Sequence, residues 1–185
     1  MYTFIEGDSI NFMPINLEHI NLYLKWTNIA KVRRYARVLY PVTAEELKKF
    51  LEGQQQNGQI RKFIDFIIYH KKIQKPIGDC GLFDIDWVDI KAMVAYTIGE
   101  PDYWGKGICT EAVKLITRYG FEELNLFKLF AHIYAPNVGS YRCVEKNGYT
   151  LEATLKKDTY VEGKYLDTYI YSLFREDWIK QEVKK

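Results

Sequence analysis

In the stretch PDYWGKGICTEA, residues 101–112, Gly105 and Gly107 stand one residue apart between a strand-like run and a helical one. Glycine lets a ligand oxygen come against the backbone where a Cβ would block it. The first amides of a helix lack intrahelical acceptors, and with the helix dipole they favour negative charge. The pair therefore suits a phosphate, with a plain tight turn as the alternative. It is not a P-loop, whose GxxxxGK[ST] spacing is absent, and Thr110 stands where a dinucleotide fingerprint has its third glycine. Cys109 lies at the start of the helix, where a thiol pKa can fall, although a small packed side chain is the commoner use of such a position. Asp84 and Asp86 alternate with Phe83, Ile85 and Trp87, so a strand there puts both carboxylates on one face. His19, His70 and His132 lie far apart without ligand spacing, and Cys80, Cys109 and Cys143 form no close pair, so no metal is expected.

The elements that must position these residues follow from hydrophobic period. Residues 3–14 predict a strand, and Asn16 caps a helix with Leu17, Ile20 and Leu24 at helical spacing. Thr43 and Glu46 make a capping box for a second helix that ends near Gly58. The period then changes to two, giving consecutive strands within 62–70, 76–87 and 92–99, an antiparallel meander. A helix over 110–124 carries Ala112, Leu115, Ile116 and Tyr119 on one face. A strand within 126–137 stops at Pro136, a short helix over 137–148 closes at Gly148, and two strands within 150–173 turn at Glu162–Gly163. The sum is mixed α/β (α+β) in one domain spanning 1–185, with a parallel strand–helix–strand crossover between the meander and the hairpin.

Composition narrows the function. The 185 residues carry a formal charge of only +2, with basic residues scattered among acids, so nucleic acid is not expected as a partner. Three cysteines without pairing fit a reducing cytoplasm. No apolar run approaches the length of a membrane span, and no membrane partner is expected.

Three segments carry a resemblance: the WGKG-I-x-TEA setting of Gly105-Lys106-Gly107, the series Asn137, Ser140, Glu145, Lys146, Gly148 and Tyr149, and the closing hairpin GKYLDTYIYSLFREDW. Together, in order over nearly the whole chain, they resemble the GNAT N-acetyltransferases, and within them the branch of ribosomal-protein N-acetyltransferases. The resemblance implies the GNAT fold, a mostly antiparallel mixed sheet of about seven strands with splayed central strands and flanking helices. It implies acetyl-coenzyme A as cosubstrate, no metal, and a primary amine as acceptor, in a monomer or homodimer. The pyrophosphate would sit on the amides of Gly105, Lys106, Gly107, Ile108, Cys109 and Thr110, with Trp104 also among the cofactor-binding residues. The pantetheine arm would run along Tyr96, Thr97 and Ile98 like an added strand, with a backbone N–H near Ile98 polarising the acetyl carbonyl. Asn137 and Ser140 would close the site.

The sequence also departs from the pattern. Asp102 replaces the loop's usual Gln or Arg, with Lys106 as a compensating cation, and Cys109 replaces Ala or Gly. Val144 stands where many members have a tyrosine that protonates the departing thiolate, so that role falls to Ser140, with a helix cap as its alternative. Met93 stands where relatives often carry a basic glutamate, which leaves Asp84 and Asp86 as candidate bases or as an exposed polar face. A missing base favours acceptors that are already neutral. An α-amine with a pKa near 7.8 is about one-third neutral at pH 7.5, against about 0.1% for a lysine-like amine. The expected acceptor is thus a protein N-terminal amine. The alternatives are a small amine such as a polyamine or aminoglycoside, held in an acidic pocket, and a non-catalytic acyl-CoA-binding module.

Overall fold

The structure is a computed structural model that describes residues 2–15, 17–36, 39–53 and 60–183. Its strands are β1 (Ile5–Glu6), β2 (Ile10–Pro14), β3 (Ile64–His70), β4 (Lys75–Asp86), β5 (Lys91–Ile98), β6 (Lys128–Tyr134), β7 (Thr150–Val161) and β8 (Lys164–Phe174). Its helices are α1 (Ile20–Asn28), α2 (Ala30–Ala36), α3 (Ala44–Gly53), α4 (Ile108–Glu122), α5 (Val138–Glu145) and α6 (Arg175–Glu182). The strands form one eight-stranded sheet in the order β1-β2-β3-β4-β5-β6-β8-β7. Neighbours run antiparallel except β5 and β6, which α4 connects in parallel.

Both faces of the sheet are covered. On one, α4 buries Ala112, Leu115, Ile116 and Tyr119, the four residues of the predicted stripe, against Leu82, Val94 and Leu129. Each large side chain buried this way stabilises the fold by about 1.5–3 kcal/mol. On the other face Tyr23, Trp26 and Leu47 from α1 and α3 pack on Met13 and Ile67. Trp26 fixes α1 to the end of β5: its ring lies where a Cβ on Gly99 would stand, and its Nε1 donates to Glu100 Oε1 at 2.9 Å. The predicted capping box is present, with Thr43 N donating to Glu46 Oε2 at 2.8 Å and Glu46 N to Thr43 Oγ1 at 3.2 Å.

Several boundaries differ from the sequence reading. The strand expected over 3–14 is broken into β1 and β2 by a tight turn in which Gly7 N donates to Ile10 O at 2.9 Å, so the sheet has eight strands where about seven were expected. That turn is gripped by α4, whose Glu111 carboxylate accepts from Ser9 N at 2.9 Å and from the Ser9 hydroxyl. Two helices had no legible period: α2 buries only Val32, and α6 buries no residue. The predicted cap Asn16 and helix end near Gly58 lie outside the described residues.

Candidate active site

The parallel ladder between β5 and β6 is short. It pairs Lys91, Ala92 and Met93 with Lys128, Leu129 and Phe130, and beyond these pairs the strands diverge. The gap is a cleft of about 1040 Å³ lined by Val94 to Ile98 on one side and Ala131 to Tyr134 on the other. Gly99 N donates to Ile77 O at 2.9 Å, and Gly78 stands opposite Ile98. Antiparallel alternation then turns the amides of Ala95 and Thr97 toward β4 and those of Val94, Tyr96 and Ile98 toward the gap. Unpaired strand amides are a template for an extended ligand that itself carries amides.

At the wide end the loop from β5 enters α4. Gly105 and Gly107 have φ of +73° and +83°, a left-handed geometry that resists a side chain, and a Cβ on either would meet nothing within 4 Å. Gly107 is the N-cap and has no capping side chain, so the first amides of α4 stay open to an anion. Trp104 Nε1 donates to Ile98 O at 2.7 Å and ties the loop to the strand end. Trp104, Gly105, Gly107, Ile108, Cys109 and Thr110 line the cleft, as do Tyr96, Thr97, Ile98, Asn137 and Ser140. Lys106 does not: its ammonium lies over the Tyr103 ring, 5.1 Å from the centroid, and Asp102 is exposed outside the lining. The cations that do line it are Lys146 and Arg142 at α5 and Lys31 on α2, of which sequence reading noted only Lys146, as a motif residue.

Ser140 and Tyr96 meet inside the cleft. Their hydroxyls are 2.8 Å apart, and Tyr96 Oη donates to Ser140 O at 3.0 Å. Ser140 is the third residue of α5 and its hydroxyl engages Tyr96, so the capping alternative does not hold; Asn137 is the N-cap. Burial, then nearby Cys109, pushes the Tyr96 phenol well above its usual range despite the Ser140 hydrogen bond. It therefore remains a proton donor. Asn147 locks α5 to the head of α4, donating to Thr110 O at 3.0 Å and Cys143 O at 2.8 Å.

The thiols behave differently from the sequence reading. Hydrogen bonding to Cys143, then burial, raises Cys109 far above the usual thiol range, and the same bond lowers Cys143 to about 7, helped by Thr110 and Lys146. Cys143 is therefore the more nucleophilic of the two thiols near neutral pH. Iodoacetamide should label Cys143 at least about fivefold faster than Cys80 or Cys109, with CoA protecting it; peptide mapping by mass spectrometry checks both.

On the α1–α2 side, Asp86 does not serve as a base. Its carboxylate accepts from Val88 N and Asp89 N, both at 2.9 Å, and these bonds hold it below the usual carboxylate range. It caps the β4–β5 turn and is outside the cleft lining, because the ladder is irregular between Phe83 and Asp86 and the two carboxylates do not share a face. Asp84, at φ +48° in that irregularity, lines the cleft. So do Met93 and a carboxylate that sequence reading missed, Asp79, opposite Thr97 in the β4–β5 register. Its signal was a lone acid in the otherwise apolar and glycine-rich run PIGDCG. Among the described residues no group of three or more His, Cys, Asp or Glu could hold a metal ion, and no helix is long and apolar enough to cross a membrane.

The sequence profile of the acetyltransferase (GNAT) domain matches residues 10–150. The chain belongs to the GNAT acetyltransferase family. It is 24% identical over 184 residues to spermidine N(1)-acetyltransferase of Escherichia coli, covering 95% of this chain and 91% of that one. A Bacillus subtilis protein provisionally named a ribosomal N-acetyltransferase is 33% identical over 101 residues, 55% of each chain. Among solved structures, the spermidine N-acetyltransferase of Vibrio cholerae in complex with CoA and spermine superposes with a TM-score of 0.84 at 18% identity, over 94% of this chain and 99% of that chain. This GNAT chain is an acyltransferase whose cosubstrate is acetyl-CoA.

Proposed function

We propose that the chain transfers the acetyl group directly to a primary amine of a small cationic acceptor of the polyamine kind. The observation that carries the reading is that three carboxylates, Asp79, Asp84 and Asp158, line the cleft, while two of its three cations, Arg142 and Lys146, belong to the α5 region that Asn147 ties to the head of α4. Clustered carboxylates in a low-dielectric cleft concentrate cations. The relatives named for spermidine acetylation support the same choice, which moves the acceptor from the protein N-terminus expected on the absence of a base at Met93 to the small-amine alternative.

In this reading the pyrophosphate rests on the amides of Gly105 to Thr110, and Lys146 and Arg142 face it. The pantetheine arm lies along Tyr96, Thr97 and Ile98, where the amides of Tyr96 and Ile98 meet it, and Asn137 and Ser140 close the cleft. Attack of the neutral amine on the thioester carbon forms the amide bond and breaks the C–S bond. The thiolate takes its proton from the Ser140–Tyr96 hydroxyl pair. Measured kcat/KM for spermidine should exceed that for an N-terminal alanyl peptide by at least about tenfold at pH 7.5, a difference of about 1.4 kcal/mol in transition-state stabilisation. A preference for the peptide would return the acceptor to a protein N-terminus.

A further inference from the structure

A polyamine-type amine is almost wholly protonated at neutral pH, so it must lose a proton before it attacks. Met93 cannot accept one, and Asp86 is committed to a turn. Behind the cleft floor lies a pair of carboxyls from two strands. Asp65 on β3 stands opposite Gly81, and Asp79 on β4 stands opposite Ile67, so the two side chains are diagonal neighbours on the face covered by α1. Gly81 contributes no side chain, and a Cβ there would stand 2.8 Å from Asp65 Oδ1, so the glycine gives the Asp65 carboxyl its room.

A third group points to a ligand. Tyr23 on α1 is 8% exposed, and its hydroxyl is buried without a hydrogen-bond partner in the structure. Burial, then the charges of the nearby Asp79 and Asp65, pushes the pKa of that hydroxyl upward. A buried hydroxyl left unsatisfied beside two acids is costly unless something polar enters between them. Asp79 is the member of the group that reaches the cleft.

We propose that Asp79, backed by Asp65 and Tyr23, receives the ammonium of the acceptor and takes its proton, leaving the neutral amine to attack the thioester. The inference rests on the acceptor reading above. The balance is simple: R–NH3⁺ and the Asp79 carboxylate become R–NH2 and the Asp79 carboxylic acid; as the tetrahedral adduct collapses the C–S bond breaks, the Ser140–Tyr96 hydroxyls protonate the thiolate, the adduct's second nitrogen proton restores the hydroxyl pair, and Asp79 returns its proton to solvent before the next turnover.

The electrostatics suit this task. Burial, then the Asp65 charge, raises Asp79 well above the usual carboxylate range, and the Thr97 hydroxyl opposes the shift by hydrogen bonding. Burial likewise raises Asp65, against the Phe66 amide. A carboxylate raised above its ordinary range is a stronger base than an ordinary one. Other charged or titratable groups share the cleft: Lys31 and Tyr35 from α2, Asp84 from the end of β4, His132 and Tyr134 from β6, and Asp158 from β7.

The test is acetyl transfer from acetyl-CoA to spermidine across about pH 5.5–9.5 by wild type, Asp79→Asn and Asp65→Asn, with CoA affinity by calorimetry as the control for folding. Asparagine is isosteric with the protonated acid, so both variants should bind CoA within about threefold of wild type. Asp79→Asn should lose about 10²-fold in kcat/KM and the ascending acid limb of the profile, its rate then rising only with the fraction of neutral amine. Asp65→Asn should retain the limb but move it to lower pH, because the neighbouring negative charge that raises Asp79 is gone. Wild-type kinetics and an unchanged limb in Asp79→Asn overturn the inference alone. A wild-type chain that acetylates peptides but not spermidine overturns the acceptor reading and the inference with it.

Discussion

The Gly107→Val variant is expected to lose at least about 30-fold in CoA affinity, because the substitution strikes the anion cradle twice. At φ +83° a β-branched residue either strains the backbone or shifts the loop, and its side chain projects into the open space before the head of α4. Hydrogen bonds to charged groups are worth about 1.5–3 kcal/mol each, so losing even one or two gives that magnitude. Gly163, in the β7–β8 turn, provides the control. It has the same φ of +83° and the same empty surroundings, but it does not line the cleft. Gly163→Val should carry a similar loss of stability in thermal unfolding and bind CoA as wild type does. Calorimetry with CoA on both variants separates the effects, and equal affinities would remove the phosphate assignment.

Ser140→Ala and Tyr96→Phe are each expected to lower kcat by about 10- to 100-fold, while the affinity for CoA changes by less than about threefold. The two hydroxyls are 2.8 Å apart, so they act as one unit and the double variant should be little worse than either single one. The sign with pH follows from the raised Tyr96: an acid must be protonated to donate, and a pKa above its ordinary value keeps it so through a pH 6–9 assay. No descending alkaline limb should arise from this pair in that window. Steady-state kinetics with single-turnover controls decide it; unchanged kcat in both variants would leave the pair a mere strut across the cleft.

What could be read from the chain depended on whether a local pattern was enough. The capping box of Thr43 and Glu46, the α4 stripe and the Gly105–Gly107 pair are short-range arrangements, and each stands in the structure where the sequence put it. The Tyr96–Ser140 contact joins residues 44 apart, and no spacing rule could have found it. Asp65 and Asp79 were visible only as lone acids in apolar strands, because their meeting depends on the β3–β4 register. Asp86 was misread for the same kind of reason. An irregular ladder undid the alternation that would have placed it beside Asp84. Cys109 was the thiol singled out by its place at a helix start, but the lowered pKa belongs to Cys143, whose thiol partner Cys109 and donating hydroxyl Thr110 come from the head of α4, far from it in sequence, while the cation Lys146 follows on its own helix.

The three-residue ladder between β5 and β6 also makes the sheet a hinged pair of leaves. Five strands lie on one side of the seam and three on the other, and at the wide end the Tyr96–Ser140 contact spans from β5 to α5, whose Glu145 accepts from Tyr171 on β8. With the pantetheine arm seated in the gap as proposed, the cosubstrate would be a temporary strand that makes the sheet continuous. Each turnover would then insert and withdraw a strand, and departure of CoA would resemble unzipping a ladder more than leaving a pocket. The core under α4 reaches both walls of the gap, with Val94 and Ile98 on one leaf and Ala131 and Ile133 on the other.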